Sequence, residues 1–115
     1  MFSNELVRGM LKTIILQLLE EQDKMYGYEL SKEVKERTEG KIVLTEGALY
    51  PILHKLEKDN QVTTSTEMIG KRKRKYYALT STGKKSAKEK KSEMLEFIET
   101  MRNLMEPKHL ATCLS

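Results

Sequence analysis

Lys71-Arg72-Lys73-Arg74-Lys75-Tyr76-Tyr77-Ala78-Leu79 joins five consecutive cations to a run with the aromatic and apolar character of a strand. Five adjacent charges are too costly to bury, whereas Tyr77 and Leu79 need an apolar partner. The stretch therefore reads as one arm of a hairpin with a buried root and a basic outer end. The other arm lies just upstream. Val62 to Met68 is rich in Thr, Ser and Val with near alternation, and Ile69-Gly70 supplies the turn. The expectation is a two-stranded hairpin in which Lys71, Arg72, Lys73, Arg74 and Lys75 form the tip, followed by Tyr76 in the returning strand.

Upstream of the hairpin, Leu49, Ile52, Leu53 and Leu56 recur at i, i+3, i+4 and i+7, the signature of one buried helix face. Thr45 is placed to cap the first amides of that helix, and Glu46 sits favourably against the positive end of its dipole. Tyr50, His54, Lys55 and Lys58 occupy the opposite face. Pro51 breaks the pattern, because a proline inside a helix removes a hydrogen bond and crowds the preceding turn, so a kink or a loosened first turn is expected there.

Two helices precede this one. Leu6, Val7, Met10, Leu11, Ile14, Ile15, Leu18 and Leu19 form a broad apolar stripe over about 4–21, with Ser3 or Asn4 as cap, wide enough to meet both a core and a second subunit. Leu30 and Val34 mark a shorter helix over about 27–38, with Glu29, Lys32, Glu33, Lys35 and Glu36 as its solvated side and Tyr26 and Tyr28 as packing residues at its start. After the hairpin, a long helix opens at Thr80 or Ser81 and runs to about Met105, where Pro107 ends it. In it Ala87, Met94 and Met101 interleave with Lys91, Ile98 and Met105 as heptad positions, and Leu95, Phe97 and Leu104 widen the seam. Such a helix outruns a small core, and its distal apolar face needs another chain to cover it.

Composition narrows the function. The chain has 115 residues, 21 basic and 17 acidic, and residues 71–91 hold ten of the bases with a single acid, Glu89. A field that lopsided reaches about one Debye length, roughly 8 Å at cellular salt, and suits a polyanion such as nucleic acid. The lysines at 84, 85, 88, 90 and 91 read on their own as solvated surface. No apolar run approaches the roughly 18 residues of a membrane span, Glu5, Arg8 and Lys12 interrupt the apolar residues of the first helix as a secretory leader would not allow, and the lone Cys113 cannot close an internal disulfide, so the expected compartment is the cytoplasm. His109 and Cys113 are too few to make a metal site. With two His, one Cys and none of the phosphate-loop, dinucleotide, zincin or triad patterns, the chain reads as a non-enzyme without cofactor.

Helix, helix, capped helix, hairpin, long helix is the order of a winged helix-turn-helix with a C-terminal extension, mainly α with a small β-hairpin. In that architecture the capped helix enters the major groove and the hairpin lies along the neighbouring backbone. The division expected is a DNA-binding domain over 1–80, a dimerisation helix over 81–106 and a flexible tail over 107–115.

Three blocks now carry a closer likeness. Met25-Tyr26-Gly27-Tyr28-Glu29-Leu30, then Thr45 to Glu57 with its Leu49-Tyr50-Pro51 core, then Arg74-Lys75-Tyr76-Tyr77-Ala78-Leu79-Thr80 followed by Gly83, resemble in order and spacing the signature blocks of PadR-family transcriptional regulators. The resemblance covers roughly residues 8–83, and the single C-terminal helix resembles the compact members of the family. It implies a repressor-type regulator that dimerises through its first and last helices and binds an inverted repeat in double-stranded DNA. Carried over, it puts Thr45, Glu46, Tyr50, Pro51, His54 and Lys55 on the recognition helix and Arg74, Lys75 and Tyr76 on the wing near the DNA backbone, to which the charge reading adds Lys71, Arg72 and Lys73. Leu6, Met10, Ile14, Met94, Leu95, Ile98, Met101 and Met105 fall at the dimer interface, where some members hold a small planar or phenolic effector. Two departures stand out: Asn60-Gln61-Val62 replaces a Gly followed by apolar residues, and Lys71 to Lys73 replaces a turn richer in Gly and Pro. The competing reading is a protein-interaction adaptor on the same frame, with the last helix as partner site and no specific DNA binding.

Overall fold

A computed structural model describes residues 1–106; the tail expected over 107–115, with His109 and Cys113, lies outside them. The chain starts with helix α1 (Asn4–Val7), in which the Ser3 hydroxyl accepts from the Leu6 amide at 3.3 Å. A 3-10 turn over Arg8–Met10 leads into α2 (Leu11–Glu21). The single helix expected over 4–21 is thus tightened in its middle, at Gly9, the residue with the least intrinsic reason to stay α-helical. Helix α2 is the centre of the molecule. Ile15, Leu16 and Leu19 are essentially inaccessible, and the helix packs against the two helices that follow it, the last strand and the long last helix.

Strand β1 (Met25–Tyr26) precedes α3 (Gly27–Arg37), and Glu39 and Gly40, both at positive φ, turn the chain away from it. The Thr38 hydroxyl fixes this turn by donating to the Val34 carbonyl at 2.7 Å and accepting from the Ile42 amide at 3.0 Å. Helix α4 (Glu46–Lys58) begins at Thr45, which caps Ala48 as its sequence position implies. It continues through Pro51 to Lys58. The expected loosening is confined to the first turn, where the Thr45 carbonyl accepts from both Ala48 and Leu49. Gly47, whose carbonyl loses its i+4 donor at Pro51, is exposed, so water can satisfy it.

Strands β2 (Val62–Ile69) and β3 (Arg72–Leu79) pair antiparallel from Val62–Leu79 out to Ile69–Arg72. Two features differ from expectation. The sheet has three strands in the order β1-β3-β2, with Met25 opposite Tyr77 and Tyr26 opposite Tyr76. The tip is also smaller than five cations: Gly70 at φ +64 and Lys71 make the turn, while Arg72, Lys73, Arg74 and Lys75 belong to β3. A two-residue turn with positive φ at its first position follows the twist of the strands, so pairing extends to the last pair it can join.

Helix α5 (Ser81–Met105) starts at its Thr80 cap. Its first turn is locked to the α4–β2 corner, where Thr80 donates from its amide to the Gln61 carbonyl at 3.0 Å and from its hydroxyl to the Asn60 carbonyl at 2.7 Å. Gly83 is obligatory there, since a Cβ would collide with the Gln61 carbonyl. Asn60 has φ +59, which explains how Asn replaces Gly at this corner: it is the side chain that best tolerates the left-handed region. Ala87 is fully buried against α2, and Gln17 donates to its carbonyl at 2.6 Å.

Candidate nucleic-acid interface

Because Leu49, Leu53 and Leu56 are buried, the helical period turns Glu46, Gly47, Tyr50, Pro51, His54, Lys55 and Lys58 outward as one continuous exposed stripe on α4. All of the recognition-helix candidates, including the capping Thr45, are exposed. Lys55 is tied to Asp59 at 3.3 Å, yet its side chain stays 73% accessible. Tyr50 does two things. Its ring lies over the start of α3, where a Cβ on Gly27 would stand 2.5 Å from the phenolic oxygen, and 44% of the residue still faces solvent.

The wing stands on the Tyr50 side of α4. β1 covers only Tyr76 and Tyr77, so the edge of β3 over Arg72–Lys75 has no neighbouring strand. That edge faces Tyr50 and Gly27 across a cavity of about 430 Å³ whose other walls are Tyr26, Ile69 and Tyr77. Strand alternation splits the cations. Arg74 lies over the Tyr26 ring at 4.1 Å, Tyr26 meets Tyr76 edge-on at 5.6 Å, and Lys24 caps Tyr76 at 4.7 Å while pairing with Glu67. On the other face Lys75 lies over the buried Tyr77 and reaches Glu57 of α4 at 3.7 Å. Glu57 also accepts from the Thr64 hydroxyl on β2 at 3.1 Å, so one carboxylate joins the helix to both strands of the wing. Burial, with smaller contributions from the neighbouring Tyr50 and Glu57, pushes the Tyr77 phenol above its ordinary range; its hydrogen bond with Tyr76 raises Arg74.

The candidate interface residues therefore separate. Lys71, Arg72 and Lys73 are exposed, Arg74 and Tyr76 are engaged in the ring stack, and Lys75 is partly neutralised. Tyr26 is the packing residue expected at the start of α3, whereas Tyr28, expected to pack as well, is 65% exposed, and the positioning roles of Lys24 and Glu57 do not follow from the sequence pattern alone. A two-residue strand is too short to leave a period, but Glu57 lies seven residues after Tyr50 and so on the same flank of α4, a signal that was present.

The last helix offers a different surface. Leu95, Phe97, Ile98, Leu104 and Met105 are each about half or more exposed, as is Leu6 at 61% on α1. Met10, Ile14, Met94 and Met101 are half-buried. Met10, Met94 and Phe97 line a groove of about 480 Å³ between the first and last helices. No helix among the described residues is long and apolar enough to cross a membrane.

A helix-turn-helix with an exposed second helix, a cationic wing beside it and a long helix behind defines a winged helix-turn-helix DNA-binding regulator. Comparison with known proteins gives the family. Residues 15–89 match the model of the Transcriptional regulator PadR-like family. The chain is 36% identical over 107 residues, 92% of its length and 97% of the relative's, to an uncharacterised protein of Lysinibacillus sphaericus. A transcriptional regulator from Clostridium thermocellum superposes with TM-score 0.76 at 34% identity, covering 90% of this chain and 96% of that one. Bacillus subtilis PadR, solved in complex with operator DNA, superposes with TM-score 0.64 at 30% identity over 70% of this chain and 44% of its own. The chain belongs to the PadR-like family of transcriptional regulators, DNA-binding proteins that are not enzymes.

Proposed function

We propose that the protein is a homodimeric repressor that reads an inverted-repeat operator, with 1–80 as the DNA-binding domain and 81–106 as the dimerisation helix. The observation that carries this reading is the continuous exposed stripe of α4 beside an open, cationic strand edge. In it Thr45, Glu46, Tyr50, Pro51, His54 and Lys55 meet the major groove, while Lys71, Arg72 and Lys73 meet phosphates that carry no sequence information. Arg74, Lys75 and Tyr76 hold the wing in place and add charge. Leu6, Met10, Ile14, Met94, Leu95, Ile98, Met101 and Met105 form the seam between subunits, supported by the exposure of the distal α5 face. The groove lined by Met10, Met94 and Phe97 is the place for a small aromatic effector that releases the DNA.

The test is fluorescence anisotropy with two duplexes, one from the region upstream of the protein's own coding sequence and one of mixed sequence, over a range of salt. Each phosphate contact contributes roughly −0.9 to the slope of log affinity against log salt. Replacing the exposed Lys71, Arg72 and Lys73 by Ala should flatten that slope and leave the ranking of duplexes intact. Tyr50→Ala should reduce the preference for one duplex over the other. Parent-like binding by both variants would overturn these assignments.

A further inference from the structure

We infer that Arg8 and Lys12 form a second phosphate clamp, which holds the DNA strand on the side of α4 opposite the wing; this rests on the DNA-binding reading above. The two flanks of α4 are distinguishable. Tyr50 and Glu57, seven residues apart, lie on the flank that touches Gly27 and Lys75. Ala48, Ile52 and Lys55 lie on the other, and this flank borders the first helices. Arg8 lines a cavity of about 540 Å³ with Thr45, Gly47 and Ala48 at the start of α4. One turn later Lys12 lines a groove of about 310 Å³ with Pro51, Ile52 and Lys55.

Their charge is free to be used. Among the described residues neither takes part in an ion pair: Glu5 and Glu93 line a groove with Lys12 without pairing with it, Glu93 being paired with Lys90, and Asp59 is already on Lys55. Arg8 is exposed and Lys12 is half-buried. A helix roughly 10–12 Å across fills a major groove about 12 Å wide, so phosphates line both of its flanks. The wing reaches one wall; Arg8 and Lys12 sit by the other. A clamp on each side fixes the rotation of α4 in the groove, which a wing on one side alone leaves soft.

The experiment compares the parent with the double variant R8Q/K12Q on the mixed-sequence duplex, using anisotropy from low to moderate salt. Absence of any binding by the parent would overturn the DNA reading itself. With the parent bound, the double variant should lose about 1–2 from the salt slope per protomer, and the loss should be the same on the upstream duplex, since phosphate contacts are blind to sequence. The reciprocal exchange R8K/K12R should keep the parental slope. A control that removes equal charge from α5, K85Q/K88Q, should change the slope less. The clamp is refuted if R8Q/K12Q keeps the parental slope, or if the α5 control flattens it equally.

Discussion

The wing and the outer half of α5 both project from the same core, yet they present opposite chemistries to water. At the wing, exposure falls mainly on Lys71, Arg72 and Lys73, which water solvates well and a polyanion solvates better, with Met68 and Ile69 the apolar exceptions beside the turn. On α5 it falls on Leu95, Phe97, Ile98 and Leu104, which water solvates poorly. The wing is held within the protomer: all three strands are paired, the open edge of β3 is cationic, and Glu57 ties the hairpin to α4. The outer α5 is not. The contrast teaches that the two surfaces suit different forces, one that salt weakens and one that salt leaves in place.

The strongest way to break the contrast is to make α5 behave like the wing. L95E/I98E places four new charges in a twofold seam, where each buried aliphatic side chain contributes about 1.5–3 kcal/mol. Sedimentation should show the parent as a dimer at micromolar concentration and the variant as a monomer, with helical circular dichroism unchanged. DNA affinity should fall at least about 100-fold, because each half-site is then bound alone. A variant that sediments with the parent would move the subunit interface off this seam.

Next in size is the joint between the regions. Gly83→Ala forces the first turn of α5 off the Gln61 carbonyl, and overpacking against backbone costs about 1–3 kcal/mol. Gly9→Ala should act with the opposite sign, since nothing lies within 4 Å of a Cβ there, and gain about 0.5–1 kcal/mol from helix propensity. Thermal unfolding separates the two, with a shift of roughly 4 °C per kcal/mol in a chain of this size. Equal melting temperatures would mean that the corner yields more easily than its geometry implies.

A smaller effect sharpens the description of the wing. Glu57→Gln keeps an acceptor for Thr64 but frees Lys75. The slope of affinity against salt should steepen by roughly 0.9 per protomer as the released cation finds a phosphate. The preference between duplexes should fall together with it, because the wing no longer holds its angle to α4. An unchanged slope would mean that Lys75 already reaches the DNA in the parent.

What the chain discloses in advance follows the range of the interaction. Helix α4 was readable to its cap because Thr45, the Leu49-to-Leu56 spacing and the opposing Tyr50 and His54 are all local. Helix α5 was readable for the same reason, from Thr80 to Met105. The sheet was read short, because β1 is two residues long and exists only through its pairing with Tyr76 and Tyr77. The basic run was read as a tip because its charge was visible and its register was not. The two-residue Gly70-Lys71 turn and the buried root set that register together, and it places Arg74 over Tyr26, a contact 48 positions apart in the chain. At the candidate site, residue types were legible and the division of labour among the cations was not, since Glu57 decides it from another element.

The smallest expected effect tests the electrostatic half of the contrast away from any ligand. Arg37 reaches from α3 to Glu21 at the end of α2, donating at 3.0 Å from Nη1 and at 2.5 Å from Nη2, and also to Glu33 at 2.7 Å. The hydrogen bonds from Arg37 hold the Glu21 carboxyl below the ordinary carboxylate range, while Glu21 and Glu33 raise the guanidinium. A lowered folded-state value means that the unfolded chain takes up the proton first. The pair's stabilisation is therefore complete above the ordinary glutamate value near 4.5 and is lost as pH falls through the lower folded value. Both side chains are about half exposed, at 48% and 47%, so solvent screens them and the contribution is on the order of 0.5 kcal/mol. Urea unfolding of parent and Glu21→Gln should differ by that amount at pH 7 and low salt, and converge as the pH is taken well below the ordinary glutamate value or in about 1 M salt. A gap that persists in acid would assign the effect to packing of the Glu21 stem, and the α2–α3 contact would then belong with the apolar seam of α5 rather than with the wing.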